Sequence, residues 1–485
     1  MNRILSCIGL CIFILTADSL AKDRPNFVFL FSDDQQADSI GAWGNPNIQT
    51  PNMDRLAKQG HSFRNAYCAG SFSGAVCVAS RSMLMTGRNW LQITDKKNWK
   101  GLNTLPRVLS ENGYEAHIVG KWHNGRNTLL RSFESGTSVF LGGMTNHLQV
   151  PLADIQEGAI QNQRSVEGFS STMFADAAVE FLNQKREKPF FLYVAFTAPH
   201  DTRNPPPKYR EIYYKKDLPL PKNFMPLHPF DNGSLSPKFR DENLAPWPRP
   251  KGMIRDQISE YYGLITHLDE QIGKVLEALE NNPQAKNTYV IFTSDHGLAL
   301  GRHGLMGKQS LYEHSMRSPL IIRGPGVPAE SSSQALVYLH DLYPTILKLA
   351  GQSDDTAEDA ANLEPLWLGE KTAVRDHLFM AFQSQIRSIR DERWKLLIYP
   401  QINHRQLYDL QSDPDELFNL AMLPEHEETL KRLTTSMGEW QKTLGDDQAL
   451  SSTNPKSKDY DYTKFKQKRD RWQPDWIFKK YFKNH

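Results

Sequence analysis

Cysteine is nearly missing from this chain. There are four in 485 residues, and two of them, Cys7 and Cys11, sit inside one apolar N-terminal run. The other two, Cys68 and Cys77, are too few for the dense disulfide framework of a small secreted domain; a single Cys68–Cys77 bridge stays open at this point. An excess of one charge is missing too. Lys+Arg 57 balances Asp+Glu 55, for a net charge of +2. That excludes the basic surplus of a dedicated nucleic-acid binder and still permits a local anion pocket. Internal repeats are absent, and no apolar run reaches a comfortable membrane span. What is present is a 39% hydrophobic share with 11% aromatics, which excludes global disorder and suffices for a large core. At roughly 100–200 residues per domain, the length implies two to four domains, or one large domain with an appendage.

The N-terminus reads as an address. Arg3 precedes the apolar run Ile4 to Leu15, and Ser19-Leu20-Ala21 supplies a small-x-small cleavage pattern. Residues 1–21 are expected to be a signal peptide and the protein to be exported, periplasmic or secreted, without a transmembrane segment. An uncleaved anchor or a buried helix is the alternative.

After residue 25 strands and helices alternate. Asn26 to Ser32, Glu115 to Gly120, Pro189 to Thr197 and Thr288 to Ser294 read as strands. Thr50-Pro51 opens a helix that Gly60 stops; Leu105 to Asn112, Thr172 to Gln184 and Ile254 to Glu280 read as further helices. This alternation predicts an α/β fold, a large mainly parallel sheet sandwiched by helices. Residues 203–252 interrupt it with eleven prolines from Pro205 to Pro250 and read as an ordered arm, for substrate or for scaffolding. From about Asp376 the texture changes. Asp376 to Phe382, Ile386 to Arg390 and Trp394 to Ile398 predict short antiparallel strands, followed by a helix at Glu425 to Leu444. The expected division is a catalytic domain at 22–375, an α+β subdomain at 376–450 after a linker at Ser353–Asn362, and a basic aromatic tail at 451–485. The tail carries ten Lys/Arg against four Asp/Glu. It either binds a polyanion or packs on the body.

Four strands run into reactive residues: Asp33-Asp34, Lys121-Trp122-His123, Ala198-Pro199-His200 and Asp295-His296. If the strands are parallel, all four clusters share the carboxyl edge of the sheet, where such folds bind ligands. Crowded carboxylates there call for a divalent cation, and oxygen ligands favour Ca²⁺, with Mg²⁺ as the alternative. Turn capping is the competing explanation for the Asp pair.

Cys77-Val78-Ala79-Ser80-Arg81, followed by an apolar stretch and Thr86-Gly87, resembles the signature of the formylglycine-dependent sulfatases of the alkaline-phosphatase-like superfamily, with Ala79 where Pro is commonest. The resemblance spans about residues 25–400. It includes the Asp-Asp start, Gly-Lys-Trp-His, Ala-Pro-His, Ser-Asp-His-Gly and Gly307-Lys308. It implies a sulfuric ester hydrolase acting on sulfated poly- or oligosaccharide. It also implies that Cys77 is oxidised to formylglycine by a formylglycine-generating or anaerobic sulfatase-maturating enzyme. The hydrated aldehyde offers one hydroxyl to attack sulfur and a second whose deprotonation expels sulfate. By the same resemblance Asp33, Asp34, Asp295 and His296 hold the cation, and Arg81 holds the formylglycine. Lys121 and Lys308 bind sulfate oxygens, His200 protonates the leaving oxygen, and His123 assists turnover. Gly142 to Gly158 with His147, and the arm with His228, Asp231 and Arg240-Asp241, are the expected substrate loops. A phosphonate or phosphate ester hydrolase of the same superfamily, and a silent carbohydrate-binding relative, are the rival readings.

Overall fold

Strand β1 (Asn26–Ser32) is buried along its whole length. Successive side chains point to opposite faces, so Phe27, Phe29 and Phe31 enter one core while Val28 and Leu30 enter another. A strand with two dry faces needs helices on both, and the computed structural model supplies them. The first core takes helices Val76–Thr86, Leu105–Glu111 and Leu342–Leu349. The second takes Pro51–Gln59, Ser170–Asn183 and the long Lys251–Glu280. The structure describes residues 24–235, 239–353, 359–466 and 469–482. The signal segment expected at 1–21, with Cys7 and Cys11, lies outside these, as does half of the expected linker. Among the described residues no helix is long and apolar enough to cross a membrane.

The further strands are β2 (His61–Tyr67), β3 (Gly70–Ser71), β4 (Glu115–Lys121), β5 (Ser135–Phe140), β6 (Gln149–Gln156), β7 (Ala159–Glu167), β8 (Phe190–Ala195), β9 (Thr288–Ser294), β10 (Arg317–Ser318), β11 (Leu320–Arg323) and β12 (Ser331–Tyr338). All but β3 form an eleven-stranded sheet in the order β10-β2-β11-β9-β1-β8-β4-β5-β6-β7, with β12 beside β2. Its centre, β9-β1-β8-β4-β5, is parallel. Its flanks turn antiparallel through β11 on one side and β6-β7 on the other. The register sets Ser32 opposite Ser294, Phe31 opposite Ala195, and Gly120 opposite Ala195. The four reactive strand ends therefore lie at one edge.

The second sheet holds β13 (Leu378–Phe382), β14 (Ile386–Arg390), β15 (Trp394–Tyr399) and β16 (His404–Asp409). Its fifth strand is β3, paired parallel to β13 through Gly70–Ala381 and Ser71–Phe382. A Cβ at Gly70 would collide with the Ala381 carbonyl, and its φ is +97, so glycine is required there. Helix Glu427–Leu444 covers this sheet, and its Leu433 and Met437 join the same core as β1.

A buried ionic knot also joins the two sheets. Lys395 Nζ lies 2.9 Å from Glu313 Oε1 and 2.8 Å from Glu416 Oε1. Burial pushes Glu313 up, but Lys395 and Arg390 overcome it and hold it at about 2; Glu416 is lifted by burial to about 7. Lys395→Met is expected to cost about 3–5 kcal/mol, because two carboxylates lose the cation they share. Urea unfolding of the full chain reads this, and an unmoved midpoint would refute the ion-pair assignment.

The tail packs on the body instead of standing free. Ile477 and Phe482 are buried, Gln473 donates to Leu244 O at 2.8 Å, and Asp256 accepts from Lys480 and Tyr481.

Candidate active site

The site grows from strand ends. β1 delivers Asp33 and Asp34, and Asp34 takes a left-handed φ of 68, a conformation that short polar side chains tolerate. The Asp33 N–H donates to Ala198 O at 3.1 Å, and the Asp34 N–H to Asp295 Oδ1 at 2.9 Å. The ends of β1, β8 and β9 are thereby tied together. Helix Val76–Thr86 places Cys77 in its first turn, with no side-chain cap, and Gly87 closes the helix in the left-handed region. The uncapped N–H groups leave a positive helix end beside Cys77.

Asp34 is the hub. Lys308 Nζ donates to both its oxygens at 2.7 and 2.6 Å. His296 Nδ1 stands 3.0 Å from its Oδ1, and His200 Nε2 3.6 Å from its Oδ2. Cys77 Sγ is 3.8 Å from its Oδ1 and 3.3 Å from Lys308 Nζ. Lys121 Nζ donates to Asp33 Oδ2. Arg81 lies between two carboxylates, 3.5 Å from Asp33 and 3.8 Å from Asp295, and donates to the Lys121 carbonyl at 3.1 Å. All ten residues expected at the site thus gather at this edge, with His123 alongside Lys121 at the end of β4. The loop Gly142-Gly143 backs the His123 ring so closely that a Cβ at Gly143 would strike it.

Burial sets the protonation states. Cys77 is 1% exposed, and burial, reinforced by Asp295, raises its thiol well above the ordinary value. Unmodified Cys77 is therefore a neutral thiol and a weak nucleophile. Burial, with Lys308 and Lys121 adding to it, lowers His200 far below the usual imidazole range; His123 follows through burial and Lys121. Lys308 is pulled down by burial but raised further by Asp34, so it stays charged. Asp295 is pushed up by burial, yet His296 and Arg81 hold it at about 2.

The donor set fits a cation. Asp34, Cys77, Asp295 and His296 are all buried, and their ligand atoms lie within 4.8 Å of one another. Asp33 Oδ1, Asp295 Oδ2 and both His296 nitrogens are buried without a hydrogen-bond partner. Such orphaned polar atoms are costly unless something binds them, and three carboxylates with one imidazole suit a hard divalent ion.

One open alternative is closed, and other expectations are corrected. Cys68 and Cys77 are both free thiols, so no bridge joins them. His147 is buried behind the site instead of lining it for substrate; its Nε2 bonds the His200 carbonyl at 3.0 Å. His228 is buried too, with Nδ1 donating to His303 O at 2.7 Å, so that end of the arm is scaffold. The arm's other end does reach the site. Asp241 accepts from Gln309, next to Lys308, at 2.9 Å, and Arg240 stands 3.1 Å from Asp201. Sequence reading passed over Asp201 and Arg203, which pair at 2.5 Å directly after His200. Their signal was two opposite charges directly flanking Thr202, a few residues past an apolar strand.

A profile of the sulfatase family matches residues 25–352, and one described as N-sulphoglucosamine sulphohydrolase, C-terminal, matches residues 301–443. The chain is 28% identical over 453 residues to an arylsulfatase of Clostridium perfringens, covering 84% of this chain and 93% of that one. It is 27% identical over 496 residues to an N-acetylglucosamine-6-O-sulfatase of Bacteroides thetaiotaomicron, covering 87% of each. Among solved structures, a protein in complex with its substrate D-glucosamine-2-N,6-O-disulfate shares the fold with a TM-score of 0.74 and 24% identity, covering 87% of this chain and 99% of that one. A phosphonate monoester hydrolase of Agrobacterium radiobacter shares it at 0.69 with 21% identity, covering 88% and 96%.

Proposed function

The chain belongs to the sulfatase family and is a sulfuric ester hydrolase; from that premise we propose that it cleaves sulfate esters on carbohydrate with a formylglycine made from Cys77. The observation that carries this reading is the buried charge set around Cys77. Two ammonium groups, one guanidinium, three carboxylates and three imidazoles converge on one thiol that is itself inert as a nucleophile. The carbohydrate part draws on the relatives, one of them an N-acetylglucosamine-6-O-sulfatase.

Cys77 Sγ stands in for the oxygens of a hydrated aldehyde, which would supply an attacking hydroxyl and a second hydroxyl to expel sulfate. Asp33, Asp34, Asp295 and His296 would hold a calcium ion, which supplies Lewis-acid polarisation of a sulfate oxygen. The chain's own groups do the rest. Lys308 reaches both Asp34 and position 77, so it stands where a sulfate oxygen next to the nucleophile must lie. Lys121 supplies the second cation from the β4 side, and both stabilise charge that grows on the sulfuryl oxygens. Arg81, among carboxylates, keeps their summed negative charge from repelling the anionic ester. His200 donates Nδ1–H to the Asp201 carbonyl at 2.9 Å, which leaves Nε2 facing Asp34 and the reacting group. The neutral ring carries no proton on Nε2; the anionic ester bound beside it would favour the imidazolium, and Nε2, once protonated, is the atom that hands a proton to the leaving oxygen.

A sugar alkoxide needs that proton and a nitrophenolate does not. His200→Ala is expected to lower kcat on a cleaved sulfated sugar by about 10²–10⁴-fold and on 4-nitrophenyl sulfate by less than about tenfold. Equal losses on both would remove His200 from the acid role. The reading as a whole is tested by steady-state turnover of matched sulfate, phosphate and phosphonate esters. Preference for a phosphorus ester would overturn it in favour of the hydrolase class that shares the fold.

A further inference from the structure

Both matched family profiles end by residue 443, yet the chain beyond them runs back across the active-site rim. Lys456 N–H donates to Gln401 O at 2.8 Å, and Lys458 O accepts from the arm's Asp231 N–H at 2.7 Å. Tyr460 donates to the His228 carbonyl at 2.6 Å, and Phe465 meets the Trp247 ring edge-on at 5.1 Å. Asp470 then pairs with Arg240 Nε. Thr202 donates to Trp472 O at 3.0 Å, and buried Gln473 donates to Leu244 O at 2.8 Å. The final helix Asp475–Tyr481 anchors the strap through buried Ile477.

The strap meets the site at one place. Arg240 is held by three carboxylates, those of Asp470, Asp201 and Asp241. Asp201 is the residue whose carbonyl fixes the His200 ring. Asp470, Arg240, Asp201 and His200 therefore form one connected series ending at the proton donor. Arg240 is 26% exposed in its side chain, and its Nη2 is buried without a hydrogen-bond partner. Groups beside the proton donor flank the leaving group, so Arg240 and Asp201 stand on the sugar side of the scissile bond. A guanidinium donor next to a carboxylate acceptor suits adjacent hydroxyls, each able to donate and accept.

We propose that the C-terminal tail is a working part of the pocket, in which Asp470 is a positioning residue that fixes Arg240 beside Asp201, and that these two residues select a polyhydroxylated leaving group over a flat aryl one. The inference rests on the carbohydrate reading above. The Asp470 side chain pairs with Arg240 Nε and holds the guanidinium plane by a bond that an amide replaces only weakly. The pocket loses alignment, not chemistry.

The test uses the full matured chain, with Asp470→Asn and Asp470→Glu, on a cleaved sulfated sugar and on 4-nitrophenyl sulfate. Asp470→Asn is expected to raise KM for the sugar about tenfold, with kcat on either substrate moving less than about threefold. Asp470→Glu is expected to bring the sugar KM back to within about threefold of the parent. Parallel changes on both substrates, or a fall in melting temperature with both variants equally impaired, would reduce the tail to a structural strap and overturn the proposal. Unchanged KM for the sugar overturns it as well. A parent enzyme that turns over the aryl ester but none of a panel of sulfated sugars instead defeats the carbohydrate reading, and the proposal falls with it.

Discussion

Cys77→Ala is expected to lower kcat for sulfate ester hydrolysis by at least about a thousandfold, since removing a covalent nucleophile costs nearly everything beyond binding and charge stabilisation. Folding should survive. The side chain is small, it already sits in a buried helix turn, and Ala removes one heavy atom without adding volume. The companion measurement is peptide mass spectrometry of the parent protein across position 77, from a host able to mature such enzymes. Cleavage after Arg64 and Arg81 isolates the segment. Aldehyde or hydrate at position 77, together with a dead Ala variant, supports the assignment. Thiol alone in an active parent would defeat it, because the environment of Cys77 keeps an unmodified thiol neutral. Ala79, in place of the commoner Pro, makes this the first measurement to perform.

Asp34→Asn should be nearly as damaging. The carboxylate faces Lys308, His296, His200 and Cys77 together. An amide there removes one negative ligand from a set of three carboxylates and leaves the Lys308 ammonium buried without its counter-charge. Activity is expected to fall by about 10³-fold or more. Tightly bound calcium, measured by elemental analysis after gel filtration, should fall from roughly one per chain to near zero. In the parent, prolonged chelation should reproduce the loss and added Ca²⁺ should reverse it. A variant that keeps its calcium, or a parent active with none, would remove this residue from the cation site. Elemental content is independent of turnover, so the two halves can fail separately.

Much of the fold could be read from local pattern. β1, β9 and β14 occupy the expected residues, and Pro51–Gln59 begins at its proline and stops at Gly60, because runs buried on both faces and helix punctuation are local signals. The flanks escaped. β7 is mostly exposed, and β2 and β12 mix polar with apolar residues in short stretches. Their pairing is settled by partners far away in sequence, as Gly70–Ser71 shows by joining a sheet some three hundred residues later. Flanking strands of this kind have weak intrinsic preference and take their state from what they pair with.

The amino-acid sequence by itself determined the chemistry: which residue types end the central strands, and the order Asp-Asp, Cys-x-x-x-Arg, Lys-x-His, Pro-His and Asp-His that marks the family. It could do so because each motif is a few contiguous residues, four of them following strongly hydrophobic strands and Cys-x-x-x-Arg opening a buried helix, where the backbone leaves little choice of position. Only the tertiary structure decided what each neighbour does. It buried His147 and His228 as supports, brought Arg240 to Asp201 beside His200, and laid the tail across them through Asp470. These outcomes depend on burial and ion pairing between segments 39 to 270 residues apart, and no local pattern carries that information.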